Sequence, residues 1–148
     1  MTHQPFVIER TFHAPVSKVW NAITDPDQMK QWLFDMRNFK PEAGTEFSFV
    51  GTDHDCRDWI HLCKVTEVVP QQKLAYTWRY EGIEGDSLVT WELFEEGDLT
   101  RLKLTHSGLE TFPPLKSFAR ENFAEGWTQL IGSLLPQYLE KQSVIANS

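Results

Sequence analysis

From residue 46 to residue 107 the chain keeps one rhythm, a short alternating run followed by a turn. "EFSFV" (46–50) follows the turn "PEAGT" (41–45), and "DWIHLCKVTEVV" (58–69) stops at Pro70. "KLAYTWRY" (73–80) comes next, with Leu74, Tyr76, Trp78 and Tyr80 on one face. After the loop "EGIEGD" come "SLVTWELFE" (87–95), the hairpin turn "EEGD" and "LTRLKLTHS" (99–107). Strands joined in order by short turns make an antiparallel meander. The period then changes to that of a helix. From Ser117 to Lys141, Phe123, Trp127, Leu130, Ile131, Leu134, Leu135, Tyr138 and Leu139 form one apolar stripe. Pro136 lies inside it, and its ring would meet the carbonyl of Gly132, so a bend is expected there. A sheet this long twists and curls. The fold class expected is α+β, a curved antiparallel sheet wrapped around a long C-terminal helix.

The segment before the meander adds a strand and two short helices. "PFVIERTF" (5–12) alternates in part, with Arg10 interrupting. Pro15 suits a first helical turn, and Val16, Val19, Trp20 and Ile23 make one stripe. Asp25 then reads as an N-cap with Pro26 at N1 and Gln28 at N3, in a capping-box arrangement. Met29, Trp32, Leu33 and Met36 repeat the spacing. Helices of two to three turns are marginal alone in water, so packing must hold them. They are expected to plug one mouth of the curled sheet. The order read from the chain is strand, two short helices, about six strands, one long helix.

Composition narrows the function. A chain of 148 residues suits one domain, and no repeat, linker or low-complexity tract divides it. Six Trp and ten Phe supply a large core. A net charge of -7 argues against nucleic acid and against an anionic membrane surface as partners. No apolar run is long enough to span a bilayer, and the N-terminus lacks the features of a signal peptide. Cys56 and Cys63 fall on opposite faces if both lie on one strand, too far apart to bridge. Free thiols fit a reducing cytosol, so a cytoplasmic location is expected.

Several stretches carry a resemblance. "FHAPVSKVWNAITDPDQMKQW" (12–32), "FKPEAGTEFSF" (39–49), "LAYTWRY" (74–80), "LVTWELFEEGDLTRLKLTHSGL" (88–109) and "GWTQLIGSLLPQYLE" (126–140) occur in this order. Together they resemble the START-like (SRPBCC, Bet v 1-like, helix-grip) superfamily. Within it the chain is similar to small, single-domain bacterial-type homologues of the activator of heat-shock protein 90 ATPase. The resemblance implies a deep cavity between the sheet and the last helix. In that superfamily such a cavity often holds a lipid, a polyketide, a hormone or another apolar small molecule.

The candidate cavity residues follow from that shape. Trp59, Tyr76, Trp78, Tyr80, Trp91 and Trp127 would give flat apolar walls. The plain alternative is that they fill the core. A buried indole or phenol wants a polar partner, and so many on one sheet are hard to satisfy by packing alone. Trp32 on the second short helix and Ile131 on the long one complete the apolar candidates. His61 and Cys63 share a strand face and are candidates to point inward. His54 and Cys56 repeat that spacing, but no distant Cys/His pair completes a tetrahedral metal site. His106 ends the last strand, where the resemblance implies a polar residue near the cavity end. The plain alternative is a strand-end histidine bonded to the backbone. Arg79 is expected to point outward and pair with Glu92 or Glu46.

Neither a nucleophile elbow nor a phosphate loop nor a dinucleotide fingerprint appears, and no cofactor is implied. Three functions remain in view. The first is binding of an apolar small molecule. The second is a protein-interaction module of the chaperone-cofactor or stress-response kind. The third is an enzyme of the cyclase or hydrolase kind, for which His61, His106 and Glu92 are the titratable candidates. Exposed strand edges leave a homodimer open.

Overall fold

The structure is a computed structural model and describes residues 5–36, 38–52, 57–114 and 118–146, with side chains through residue 141. Six strands form one antiparallel, curved sheet: β1 (Phe6–Phe12), β2 (Glu46–Thr52), β3 (Asp58–Val69), β4 (Lys73–Tyr80), β5 (Ser87–Glu96) and β6 (Leu99–Ser107). The order across the sheet is β1-β6-β5-β4-β3-β2. Five strands follow the short helices, not about six; the sixth strand of the sheet is β1, which precedes them. β2 to β6 form the expected meander, and β1 pairs back onto β6, Ile8 opposite Leu104. Alternation sets the faces: on β6, Leu102, Leu104 and His106 are buried while Arg101, Lys103 and Thr105 are half-buried on the other side. A bulge between Val65 and Glu67 shifts the β3–β4 register. The registers of the other strand pairs set Glu92 opposite Lys73 and Lys103, and Glu46 opposite Lys64. Arg79 points outward as expected but sits across from Leu62, not beside either acid.

The short helices α1 (Val16–Thr24) and α2 (Pro26–Trp32) meet at Asp25, which ends one and starts the other. Its N–H donates to the Asn21 carbonyl, closing α1. Its Oδ1 accepts from the Asp27 N–H at 3.1 Å, capping α2. Gln28 donates to the Asp25 carboxylate (3.3 Å), so its amide reaches the cap's side chain where a capping box would reach the backbone. Pro26 has no N–H to offer the Ala22 carbonyl four residues back. Trp32 fills the gap: its Nε1 donates to that carbonyl at 2.9 Å. The break between the helices is thereby held by a buried ring from the second helix. α1 packs against β5 and β6, and both helices touch the C-terminal helix, closing one end of the interior.

The C-terminal helix has three parts: α3 (Arg120–Gln129), a π-helical segment (Leu130–Leu134) and α4 (Leu135–Ala146). The expected start at Ser117 lies outside the described residues. The disturbance expected from Pro136 takes the form of this π segment, in which the Leu135 N–H reaches the Leu130 carbonyl. Phe123, Trp127, Ile131, Leu135, Tyr138 and Leu139 are buried against the sheet and the short helices.

Candidate functional site

At the end of the interior away from α1 and α2 lies a cavity of about 540 Å³. Its floor is the end of the sheet where β2 finishes, β3 begins and β4 finishes. Trp59, His61, Trp78 and Tyr80 project there, because each has the inward parity of its strand. The other wall is α3 and the start of the π segment, with Phe123, Gly126, Trp127 and Leu130. Phe34, from the connection after α2, and Phe118, just before α3, complete the aromatic lining. Asn122, Glu125 and Gln129 recur at helical spacing along α3 and form a polar rim. Among the described residues no Lys or Arg lines the cavity.

The rings form a connected set. Phe118 meets Trp59 (4.9 Å between centroids) and Tyr80 (4.8 Å). Trp78 meets Trp127 across the gap between sheet and helix at 5.5 Å. His61 stacks on Phe49 at 4.2 Å with 14° between planes, and its edge meets Trp78. The Arg57 guanidinium lies 4.2 Å over the Trp59 ring. Gly51 on β2 allows this packing: a Cβ there would stand 2.8 Å from Cε1 of His61.

Polar atoms of these rings bond one another. Trp127 Nε1 donates to His106 Nδ1 at 3.1 Å. An indole can only donate, so Nδ1 holds a lone pair and the imidazole proton sits on Nε2. Nε2 donates to Ser87 Oγ (2.9 Å), and Ser87 Oγ donates to the Trp78 carbonyl (2.7 Å). The chain of bonds thus runs in one direction from helix to sheet. Burial holds His106 neutral and lowers its pKa to about 3, with the charge of His61 adding to the effect. His61 Nδ1 donates to the Trp59 carbonyl at 3.0 Å. Burial lowers the His61 pKa to about 4, against the carbonyls of Trp59 and Phe49, which favour the protonated ring. Trp78 Nε1 donates to the Tyr80 hydroxyl (2.9 Å), and Trp91 Nε1 to the Tyr76 hydroxyl (3.0 Å). Among the described residues no buried side-chain nitrogen or oxygen lacks a partner. The expectation that packing alone would leave these rings unsatisfied is therefore corrected: the indoles of Trp78, Trp91 and Trp127 each donate to a neighbouring ring.

Of the candidates read from the sequence, Trp59, His61, Trp78, Tyr80 and Trp127 line the cavity. Trp32, Cys63, Tyr76, Trp91, His106 and Ile131 do not; all are buried in the packed core. Trp32 is turned to the Ala22 carbonyl and meets Trp91 edge-on at 6.3 Å. Tyr76 and Trp91 lie nearer the plugged end of their strands, where the short helices fill the space. Ile131 faces the core from the π segment and is fully enclosed. Cys63 shares the His61 face but lies one step deeper, where burial raises its thiol pKa and keeps it protonated. His106 is tied to side chains of Trp127 and Ser87, not to the backbone, because its ring points inward beneath α3. Glu92 lies between two lysines in the register and is absent from the cavity wall. His54 and Cys56 lie outside the described residues. Among the described residues no three His, Cys, Asp or Glu side chains gather as a metal would require.

Strand parity places neither Phe34, Phe118 or Phe123 nor the rim at 122, 125 and 129, because none of them lies on a strand. Gly51 carried a usable signal, since glycine inside a strand marks a close approach. Phe118 carried none, because it comes from a connection without period.

A family model described as Activator of Hsp90 ATPase homolog 1-like protein matches residues 13–140. Solved structures share the fold. DynU16, from the dynemicin biosynthetic locus, is 24% identical with a TM-score of 0.77 over 94% of this chain. The match spans 48% of DynU16, about half its length. Protein MLL2253 from Mesorhizobium loti is 28% identical, with a TM-score of 0.75 over 93% of this chain and 98% of its own. CalU16 from Micromonospora echinospora is 25% identical, with a TM-score of 0.70 over 95% and 78%. Among curated proteins none matches the chain. Among the described residues no helix is long and apolar enough to cross a membrane.

Proposed function

We propose that this chain, which belongs to the Activator of Hsp90 ATPase homolog 1-like protein family, binds an apolar, ring-containing small molecule between its sheet and its C-terminal helix. The observation that carries the reading is the cavity itself. It offers about 540 Å³ walled by aromatic faces, within the range of small-molecule sites. Most polar atoms behind those faces bond one another, the Tyr80 hydroxyl proton excepted, so the wall presents mainly carbon to whatever enters. Burial of apolar ligand surface then supplies the affinity, at about 25 cal/mol per Å² before the costs of association. The rim at Asn122, Glu125 and Gln129 suits a ligand end that stays in water. His61 is neutral at pH 7 and contributes a flat face, not a charge.

Native mass spectrometry of freshly purified protein, followed by solvent extraction, tests the reading. The expected result is added mass that disappears on extraction, or uptake of an apolar dye displaced by ring compounds. Protein of bare mass that takes up neither dye nor ring compounds would sink it.

A further inference from the structure

The Tyr80 hydroxyl accepts the Trp78 indole proton, and that bond fixes how the phenol can be used. Its oxygen is occupied as an acceptor, while its own proton has still to be donated. Among the described residues no acceptor receives it: the hydroxyl's hydrogen-bond partner is the Trp78 N–H. Tyr80 is 6% exposed, and both it and Trp78 line the cavity. Burial raises the phenol pKa, so the group remains a donor across the working pH range. Tyr76 has the same arrangement with Trp91, but it is sealed in the core and does not line the cavity.

We infer that Tyr80 is the residue that selects the ligand's polar group, donating its proton to a carbonyl oxygen on an otherwise apolar, ring-containing molecule. The inference rests on the cavity being a ligand site, as proposed above. Acceptor-only chemistry favours a carbonyl over a hydroxyl, which would bring a second proton needing its own acceptor in a wall of carbon. A carboxylate is disfavoured, because no Lys or Arg among the described residues lines the cavity and Glu125 stands at the rim. The indole of Trp78 acts as a positioning group: by engaging the phenol oxygen it restricts where the phenol proton can point.

The test uses two probes of near-identical shape, 2-acetylnaphthalene and 2-ethylnaphthalene, titrated against the full chain by quenching of tryptophan fluorescence. The acetyl compound is expected to bind the unaltered protein about fivefold to tenfold tighter than it binds Tyr80→Phe, the ratio of one net hydrogen bond. The ethyl compound should bind the unaltered protein and Tyr80→Phe alike, and Tyr76→Phe should leave the acetyl affinity intact. The carbonyl stretching band of bound 2-acetylnaphthalene should shift to lower frequency in the unaltered protein, a readout that needs no variant. An acetyl affinity unchanged by Tyr80→Phe together with an unshifted band overturns the role of Tyr80 and leaves the cavity reading standing. Failure of both probes to bind overturns the two together.

Discussion

The interior holds the same pair of rings twice, with opposite surroundings. At the plugged end Trp91 donates to Tyr76, and Trp32 and the short helices close over them. At the other end Trp78 donates to Tyr80, and the space beyond the rings is a cavity. Trp78 and Tyr80 lie on the inner face of β4, and the other pair spans β4 and its neighbour β5, within a few residues of the first. Their chemistry does not distinguish them; what covers them does. A short helix pair whose broken joint is closed by Trp32 fills one end, and α3 with its connection walls the other without filling it.

The largest expected difference between the two ends is in stability. Trp91→Ala should cost about 3–5 kcal/mol in denaturant unfolding, because a ring that is 1% exposed leaves a hole its neighbours cannot close. Trp59→Ala, whose ring already faces the cavity, should cost clearly less. Equal losses would erase the distinction between a packed end and an open one.

Acid sharpens the comparison from another side. His61 and His106 have folded pKa values of about 4 and about 3, below the ordinary 6.5. Between those values and 6.5 the unfolded chain holds protons that the folded chain refuses. Stability is therefore complete above about pH 6.5 and falls as the pH drops, by on the order of 1.4 kcal/mol per pH unit for each histidine. Urea midpoints from pH 7 to pH 4 should show this fall, and His106→Asn should remove about half the slope. A midpoint that is flat from pH 7 to pH 4 would contradict the neutral burial of both rings.

Two smaller changes probe the open end directly. Gly51→Ala should cost about 1–3 kcal/mol and weaken dye uptake, because the new methyl pushes the His61 ring toward the cavity. Unfolding and dye titration on one sample check both effects. Removing hydroxyls gives the finest contrast. Tyr76→Phe strands a sealed indole N–H and should cost about 1–3 kcal/mol. Tyr80→Phe should cost less, since water in the cavity can take the place of the lost hydroxyl. The reverse order would mean that the Trp78 end is the drier of the two.

The strands were legible to within a residue or two because parity and turn residues agree along the whole meander. Residues 58–69, 73–80 and 99–107 are strands from end to end, as their alternation and the bounding Pro70, Gly85 and Gly97 predict. The helix joint at Asp25 and Pro26 was legible for a similar reason, since one local rule ends a helix and another begins one. The site was legible only in part. Parity states which face a residue is on, not how far along the sheet a helix covers it. Tyr76, Trp78 and Tyr80 share one face, yet only the last two reach the cavity. Likewise the number of buried rings predicted unsatisfied polar groups, because a sequence does not reveal that the indoles of Trp32, Trp78, Trp91 and Trp127 will each find a partner within the fold.

The π segment at Leu130–Leu134 carries a consequence for how the chain tolerates change. A π turn is a helix holding one residue more than its length requires. Deleting a single position there would restore ordinary winding, and every residue on one side would rotate by roughly 100° relative to the other. Either α4 would lose its seat on the short helices or Phe123 and Trp127 would swing away from the sheet. A one-residue deletion at this spot should therefore reshape the pocket more than most substitutions within it, which makes chain length here a determinant of what the protein can hold.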